Sequence, residues 1–315
     1  MKIVIPGGSG QIGQVLTRAF LAGGHDVVIL SRGPSPLGRT VPWDGRTVGA
    51  WASEIDGADV VVNLAGRTVN CRYTEENLAA MLNSRVDSTR AVGEAIAAAP
   101  RPPRVWLQMS TATIYAHRFD APNDEATGVL GGDEPDVPAY WGTSVKIARA
   151  WERAQAEAAT PNTRRVALRT AMMMSPDPGG IFDVLLTMVR RGLGGRAGSG
   201  AQYVSWIHDR DFVRAIDLLI AREDLDGAVN LASPGPLPYA DFMRAMREAW
   251  GIRVGLPASA WMLAIGAWIM RTDTELVLKS RRVVPGRLLQ AGFSFEHPAW
   301  PEAAQDLVAR FRARS

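Results

Sequence analysis

A chain of 315 residues is long enough for one large α/β domain, or for a core domain carrying a smaller partner. Hydrophobic residues at 47% against 21% charged exclude a disordered chain. A net charge of +3 from 35 basic and 32 acidic residues, with no run of five like charges, excludes a polybasic nucleic-acid tail. The single Cys71 excludes an intramolecular disulfide framework and a cysteine metal knuckle. The four histidines (His25, His117, His208, His297) fall at no metal-ligand spacing, so no metal is expected. Leu256 to Met270, the longest apolar stretch, is broken by Pro257, Ser259 and Gly266 and is shorter than the roughly 20 residues of a membrane span. Met1 to Gly8 enters a folded element directly, so the expectation is a cytoplasmic protein with neither membrane nor nucleic acid as partner.

In chain order, short runs rich in Val, Ile and Leu alternate with stretches of helical period. The runs are 2–5, 27–30, 60–64, 105–109, 166–168 and 229–231; continuous apolar runs of this length suit strands buried on both faces of a parallel sheet. The helical stretches are 11–22, 75–98, 144–159 and 209–221. The alternation predicts right-handed crossovers and an α/β, Rossmann-like doubly wound parallel sheet. A glycine-rich loop at 192–200 follows, and beyond residue 237 the pattern is almost wholly helical: 239–250, 259–270, 274–281 and 300–312. The expected division is a nucleotide-binding domain over 1–171, rejoined by 204–233, and a smaller, mostly helical substrate lobe over 172–203 and 234–315. Trp261, Met262 and Trp268 recur at helical spacing and read as a core or dimer face, which leaves a homodimer open.

Gly7-Gly8-Ser9-Gly10-Gln11-Ile12-Gly13 follows the first run and opens the first helix. Glycines at 7, 10 and 13 permit a tight turn, close approach of backbone to a pyrophosphate, and tight helix–strand packing. The free N–H groups and partial positive charge of the helix N-terminus suit phosphate. At the end of the second run, where an NAD site usually carries a carboxylate, stand Ser31 and Arg32. A guanidinium there pairs with a 2′-phosphate, so the expected cofactor is NADP(H), with Arg39 as a second cation. The plainer reading of Arg32 is a solvated surface arginine.

These residues resemble an extended, atypical short-chain dehydrogenase/reductase. Asn63-Leu64-Ala65-Gly66 is similar to that superfamily's ribose-lining motif, and Ser205-Trp206-Ile207-His208 with Asp211 to its late strand-to-helix motif. Together with Asn83-Ser84-Arg85, Ala150-Trp151-Glu152 and the tail from Ser280 to Phe293, they resemble the epimerase-like family that ends in a DUF1731 region. The resemblance implies fold and cofactor, adds Leu64, Ala65, Gly66, Arg85 and Ser110 to the expected cofactor contacts, and leaves the reaction open.

The superfamily places a Ser or Thr after one strand and Tyr-x-x-x-Lys on the next helix. The lysine, one turn from the tyrosine, helps its phenol exchange a proton near neutral pH. In Ser110-Thr111-Ala112-Thr113-Ile114-Tyr115, Thr111 stands at the catalytic hydroxyl position; otherwise it only ties backbone groups at a strand end. The helix departs from the pattern, because Tyr140 and Lys146 are six apart and the tyrosine and lysine positions, aligned on Gly142 and Ser144, carry Trp141 and Val145. Tyr140 as acid with Lys146 on the ribose is one expectation, Tyr115 the reserve, and absence of this acid another. The arginine with which sugar-nucleotide epimerases grip a diphosphate has no counterpart in 202–206, and Met172, Met173, Tyr203 and Trp206 read either as an apolar substrate pocket or as core. Three functions stay in play: an NADP(H)-dependent oxidoreductase of a small carbonyl, enol or imine, an NAD(P)-dependent epimerase, and a non-catalytic NADP sensor.

Overall fold

The computed structural model describes residues 1–135, 137–138, 140–258 and 274–314. Seven parallel strands form the central sheet: β1 (Lys2–Pro6), β2 (Asp26–Ser31), β3 (Arg39–Pro42), β4 (Val60–Asn63), β5 (Val105–Thr111), β6 (Arg164–Thr170) and β10 (Gly227–Leu231). Their order across the sheet is β10-β6-β5-β4-β1-β2-β3. Two short pairs lie outside it: β7 (Met172–Met174) runs parallel to β9 (Trp206–His208), and β8 (Tyr203–Val204) antiparallel to β11 (Leu237–Pro238). β3 has no counterpart among the expected strands; its pattern is half-exposed, as an edge strand's is.

The pleat sends alternate side chains of each strand into two different cores. Ile3 and Ile5 pack with Val27, Ile29 and Val62 under α1 (Gln11–Ala22) and α5 (Asp209–Ala221). Val4, Val28 and Val61 face α2 (Glu75–Ala98), where they meet Ala91, Val92 and Ile96. α3 (Trp141–Ala156) lies beside α2 and sets Trp151 into the first core. This two-sided burial is why the strand sequences read as unbroken apolar runs.

A third apolar centre joins α4 (Ile181–Arg190), α6 (Tyr239–Trp250) and α9 (Trp300–Arg312). Trp300 stacks on Phe242 at 4.0 Å between ring centroids, donates Nε1–H to the Phe242 carbonyl at 2.9 Å, and tilts against Trp206 at 4.8 Å. Two short helices, α7 (Glu275–Leu278) and α8 (Gly286–Gln290), precede α9. The expected helix at 274–281 therefore stops after one turn, and the expected helix at 259–270, with Trp261, Met262 and Trp268, lies outside the described residues. Among the described residues no helix is long and apolar enough to cross a membrane.

Where α9 meets α5, chain spacing gave no hint of what the fold assembles. His208 Nδ1 accepts the Arg210 N–H at 3.2 Å and so caps α5, its Nε2 lies 3.0 Å from Asp306, and its ring lies 3.8 Å from that of His297. The ligand atoms of His208, His297 and Asp306 fall within 4.8 Å of one another, but Arg310 (3.2 Å) and Arg210 (3.8 Å) already neutralise Asp306. Asp209 also supports the α5 cap, accepting the Arg210 N–H at 3.0 Å, whereas Asp211 holds the Glu296 and His297 amides.

Burial pushes the His208 imidazole down to about 4. Because the unfolded imidazole titrates near 6.5, its contribution is complete above that pH and drains away as pH falls toward 4. Unfolding free energy should therefore drop about 2 kcal/mol more steeply between about pH 7 and pH 5 in the native chain than in His208→Gln. Denaturant titrations at the two pH values check this; equal slopes would contradict the assignment.

Candidate active site

In a parallel sheet all strand carboxyl ends open on one edge, and this strand order puts the switch point between β1 and β4. There the chain leaves Pro6 and turns at Gly7, which sits at φ +77° and donates its N–H to the Leu30 carbonyl at 2.8 Å. A Cβ on Gly7 would lie 2.6 Å from the Ala65 nitrogen, and one on Gly13 would lie 2.3 Å from the Gly8 carbonyl oxygen. These two glycines let β1, β4 and α1 close on one another. Gly10 is different. Its backbone (φ −74°, ψ 169°) suits any residue, and a Cβ there meets nothing nearer than 3.7 Å. As the N-cap of α1, Gly10 puts no side chain between the first amides of the helix and whatever approaches the loop.

The start of α1 has no side-chain cap and no acidic residue in its first turn, which leaves its N–H groups and partial positive charge facing this edge. Ser9 is exposed, and Gln11 and Ile12 are half-buried on the first turn of the helix. Gln11 Nε2 is buried without a partner among the described residues and lies where a Cβ on Gly180, at the head of α4, would fall 2.2 Å from it. A bare loop, an uncapped helix and an orphaned amide donor together fit the phosphates of a dinucleotide.

At the end of β2, Ser31 Oγ donates to the Gly33 carbonyl at 2.5 Å and accepts the Gly33 N–H at 3.2 Å, which bends the chain outward. Arg32 is exposed, makes no hydrogen bond or ion pair among the described residues, and lies on a cavity of about 430 Å³ lined by Trp43, Asp44, Thr47 and Trp51. Arg39, the expected second cation, is committed elsewhere: both terminal nitrogens donate to Glu54 at 2.7 Å, which holds that carboxyl down at about 2. Beyond β4, Asn63 Oδ1 accepts the Ala65 N–H at 3.1 Å and shapes the turn through Leu64, Ala65 and Gly66. Arg85 lies under that turn, its guanidinium 4.9 Å from the Trp151 ring and donating to the Met81 and Arg67 carbonyls; burial lowers it to about 10.

The two hydroxyls ending β5 alternate in direction. Ser110 Oγ donates to Glu152 at 2.6 Å, Glu152 holds Arg169 through two contacts of 2.9 Å, and Arg169 donates to the Tyr115 hydroxyl at 2.9 Å. Tyr115 donates in turn to Asn230 at 2.9 Å. With both hydroxyl functions engaged, 2% exposure and a phenol pushed up by burial, Tyr115 is a framework residue, which removes the reserve acid. Thr111 is half-buried, and its Oγ1 accepts the Thr113 N–H at 3.1 Å at the start of a short 3₁₀ turn, Ala112–Ile114.

The fold does not bring Lys146 to Tyr140. Six residues on a helix separate two side chains by about 120°, and Lys146 is exposed, without hydrogen bond or ion pair among the described residues. Tyr140, 40% exposed at the start of α3, has its hydroxyl 3.1 Å from Thr274 Oγ1. Trp141 and Val145 occupy the one-turn-apart positions and are buried. Of the expected pocket residues, Trp206 (0% exposed) and Met173 (4%) belong to the core, Met172 is half-buried, and half-buried Tyr203 carries the Arg282 guanidinium at 4.5 Å. Trp206 has no surface with which to meet a ligand.

The sequence reading expected a C-terminal lobe over this edge and missed which of its residues, Glu275, Lys279, Ser280 and Arg281, make the contacts. Ser144 donates to Glu275 at 2.6 Å, Lys279 Nζ to the Thr113 carbonyl at 3.1 Å, and Arg281 Nε to Thr113 Oγ1 at 3.0 Å. The Ser280 amide donates to His117 Nδ1 at 2.8 Å. The available signal was the charge density of this otherwise apolar tail.

A doubly wound sheet with a bare glycine turn at its switch point defines a dinucleotide-binding class of protein. Residues 3–232 match the NAD dependent epimerase/dehydratase family and residues 258–307 the DUF1731 domain of unknown function. The chain belongs to that epimerase/dehydratase family. It is 31% identical to the bovine (Bos taurus) epimerase family protein SDR39U1 over 98% of this chain and 100% of that one. It also resembles the crystal structure of human SDR39U1 with NADPH, at 28% identity and a TM-score of 0.85, over 98% of this chain and 99% of the other. The UDP-glucose 4-epimerase of Thermus thermophilus, solved with NAD, shares the fold at 16% identity and a TM-score of 0.71, each chain covered in full.

The glycine geometry separates two substitutions that each add the same single carbon. Gly13→Ala should cost about 1–3 kcal/mol, because the added carbon overlaps the Gly8 carbonyl. Gly10→Ala should stay within about 1 kcal/mol of the native chain, since the site is open. Denaturant unfolding of both variants checks the contrast, and equal losses would refute it.

Proposed function

We propose that this protein is an NADP(H)-dependent oxidoreductase of a small carbonyl, enol or imine compound. The observation that carries the dinucleotide half of this reading is the first turn of α1, which has no side-chain cap and is entered through the bare Gly10. The 2′-phosphate preference rests on Arg32, the uncommitted guanidinium after β2, where an NAD site usually has a carboxylate. The human relative solved with NADPH supports the same choice. In this reading Gly7, Ser9, Gly10, Gln11, Ile12 and Gly13 cradle the pyrophosphate, Ser31 and Arg32 hold the adenosine end, and Leu64, Ala65, Gly66, Arg85 and Ser110 frame the path toward the nicotinamide. Bound there, the cofactor supplies a hydride. Thr111 holds the substrate oxygen, and Tyr140 is the nearby phenol able to pass a proton.

A thermal shift at about 100 times Kd corresponds to about 2.7 kcal/mol of stabilisation, enough to rank nucleotides. NADPH should stabilise the native chain more than NADH does, Arg32→Asp should abolish or reverse that order, and Gly10→Ala should weaken NADPH at least tenfold. An unaltered preference in Arg32→Asp would remove Arg32 from the site.

A screen of small carbonyl compounds tests the reaction. Stoichiometric loss of NADPH absorbance marks a reductase, whereas substrate conversion without net loss marks an epimerase. Tyr140→Phe should lower turnover at least tenfold; an unchanged rate would exclude the phenol.

A further inference from the structure

This chain has three lysines, Lys2, Lys146 and Lys279, against thirty-two arginines. Arginine thus supplies nearly every cation it uses, and Lys279 is the lysine taken fully inside, its side chain 1% exposed. Burying an ammonium is costly unless it is paired, and arginine is the usual choice for a buried ion pair. Lysine at this position puts a compact point charge, rather than a planar fork, inside the protein.

Its surroundings say where that charge acts. Lys279 Nζ donates to the Thr113 carbonyl at 3.1 Å and lies 3.5 Å from Glu275 Oε1. An ammonium has three donors, so one remains without a partner among the described residues. Arg281 grips the hydroxyl of the same Thr113, Thr274 touches the Tyr140 hydroxyl, and Glu275 accepts from Ser144. One stretch of eight residues therefore contacts the turn after β5 and the first turn of α3, the two places from which a short-chain reductase draws its hydroxyl, tyrosine and lysine.

We propose that Thr274–Arg281 is part of the reaction site and that Lys279 is its positioning cation, holding the Thr111–Tyr115 turn toward the nicotinamide and the carbonyl to be reduced. α3 carries Val145 where the pattern has its lysine and leaves Lys146 exposed, and in this way the C-terminal region supplies the cation. The inference rests on the dinucleotide reading given above and assigns that region a task.

With three lysines, the ε-carbon of Lys279 is addressable by NMR on the intact chain labelled with ¹³Cε-lysine, the signal assigned by its loss in Lys279→Arg. Two probes separate the ends of the site: NADPH, and 2′,5′-ADP, which has the phosphorylated adenosine end alone. NADPH should move the Lys279 signal by more than its linewidth, while 2′,5′-ADP, bound to saturation by calorimetry, should leave it in place. Binding of both nucleotides with no movement, or equal movement with both, would overturn the proposal and leave the dinucleotide reading standing. Failure of NADPH to bind would overturn the two together, and should 2′,5′-ADP alone fail to bind, a Lys279 signal unmoved by NADPH would still overturn the proposal. As a second measurement, Lys279→Met should weaken NADPH at least fivefold while keeping the 2′,5′-ADP affinity of the native chain. Parallel losses for both would mark a merely structural residue, and the NMR comparison on the native chain decides the matter should the variant not fold.

Discussion

The seating of α1 on β1 is the contact on which everything else in this molecule depends. With no Cβ at Gly13, the helix drops onto the Gly8 carbonyl, and with none at Gly7 the turn lies flat against Ala65 at the end of β4. This aims the uncapped end of α1 along the carboxyl edge of the sheet, across the switch point between β1 and β4. Move the helix out by the width of a methyl group and the amides no longer converge where a phosphate would lie.

Around that junction the protein is built in two layers of commitment. One set of polar groups is closed: Ser110, Glu152, Arg169, Tyr115 and Asn230 pass hydrogen bonds along a chain that ties β5, α3, β6 and β10 together. Arg39 and Glu54 are closed in the same sense. The other set is left open: the first amides of α1, the Gln11 amide and the Arg32 guanidinium. A buried donor is normally satisfied, and of this set the Gln11 amide is the buried one, so a phosphate at this edge would give it a partner.

The sheet and its crossovers were legible because two-sided burial writes continuous apolar runs, and the glycine turn because its spacing follows from sterics. β3 was not, since an edge strand with a half-exposed pattern and a proline carries little of either signal. Individual roles proved harder. Arg39 and Arg32 look alike along the chain, and only the position of Glu54 distinguishes a closed ion pair from an uncommitted cation. Trp206 and Met173 read equally as pocket or core, and packing against Trp300 and the sheet decided for the core. The tail at 274–281 carries helical spacing, yet it turns only once before extending, so that Lys279 and Arg281 both reach Thr113. That contact spans more than 160 residues of chain, a separation at which local pattern has nothing to say.

The central claim is that main-chain amides of the β1–α1 turn hold the phosphates of a nicotinamide dinucleotide. Residue-resolved hydrogen exchange of the amides of residues 10–13, with and without saturating NADPH, tests it most directly. Slowed exchange at those amides, exceeding any change at the far end of α1, is the predicted result. Exchange there that stays the same while NADPH is bound would place the nucleotide elsewhere and contradict the account.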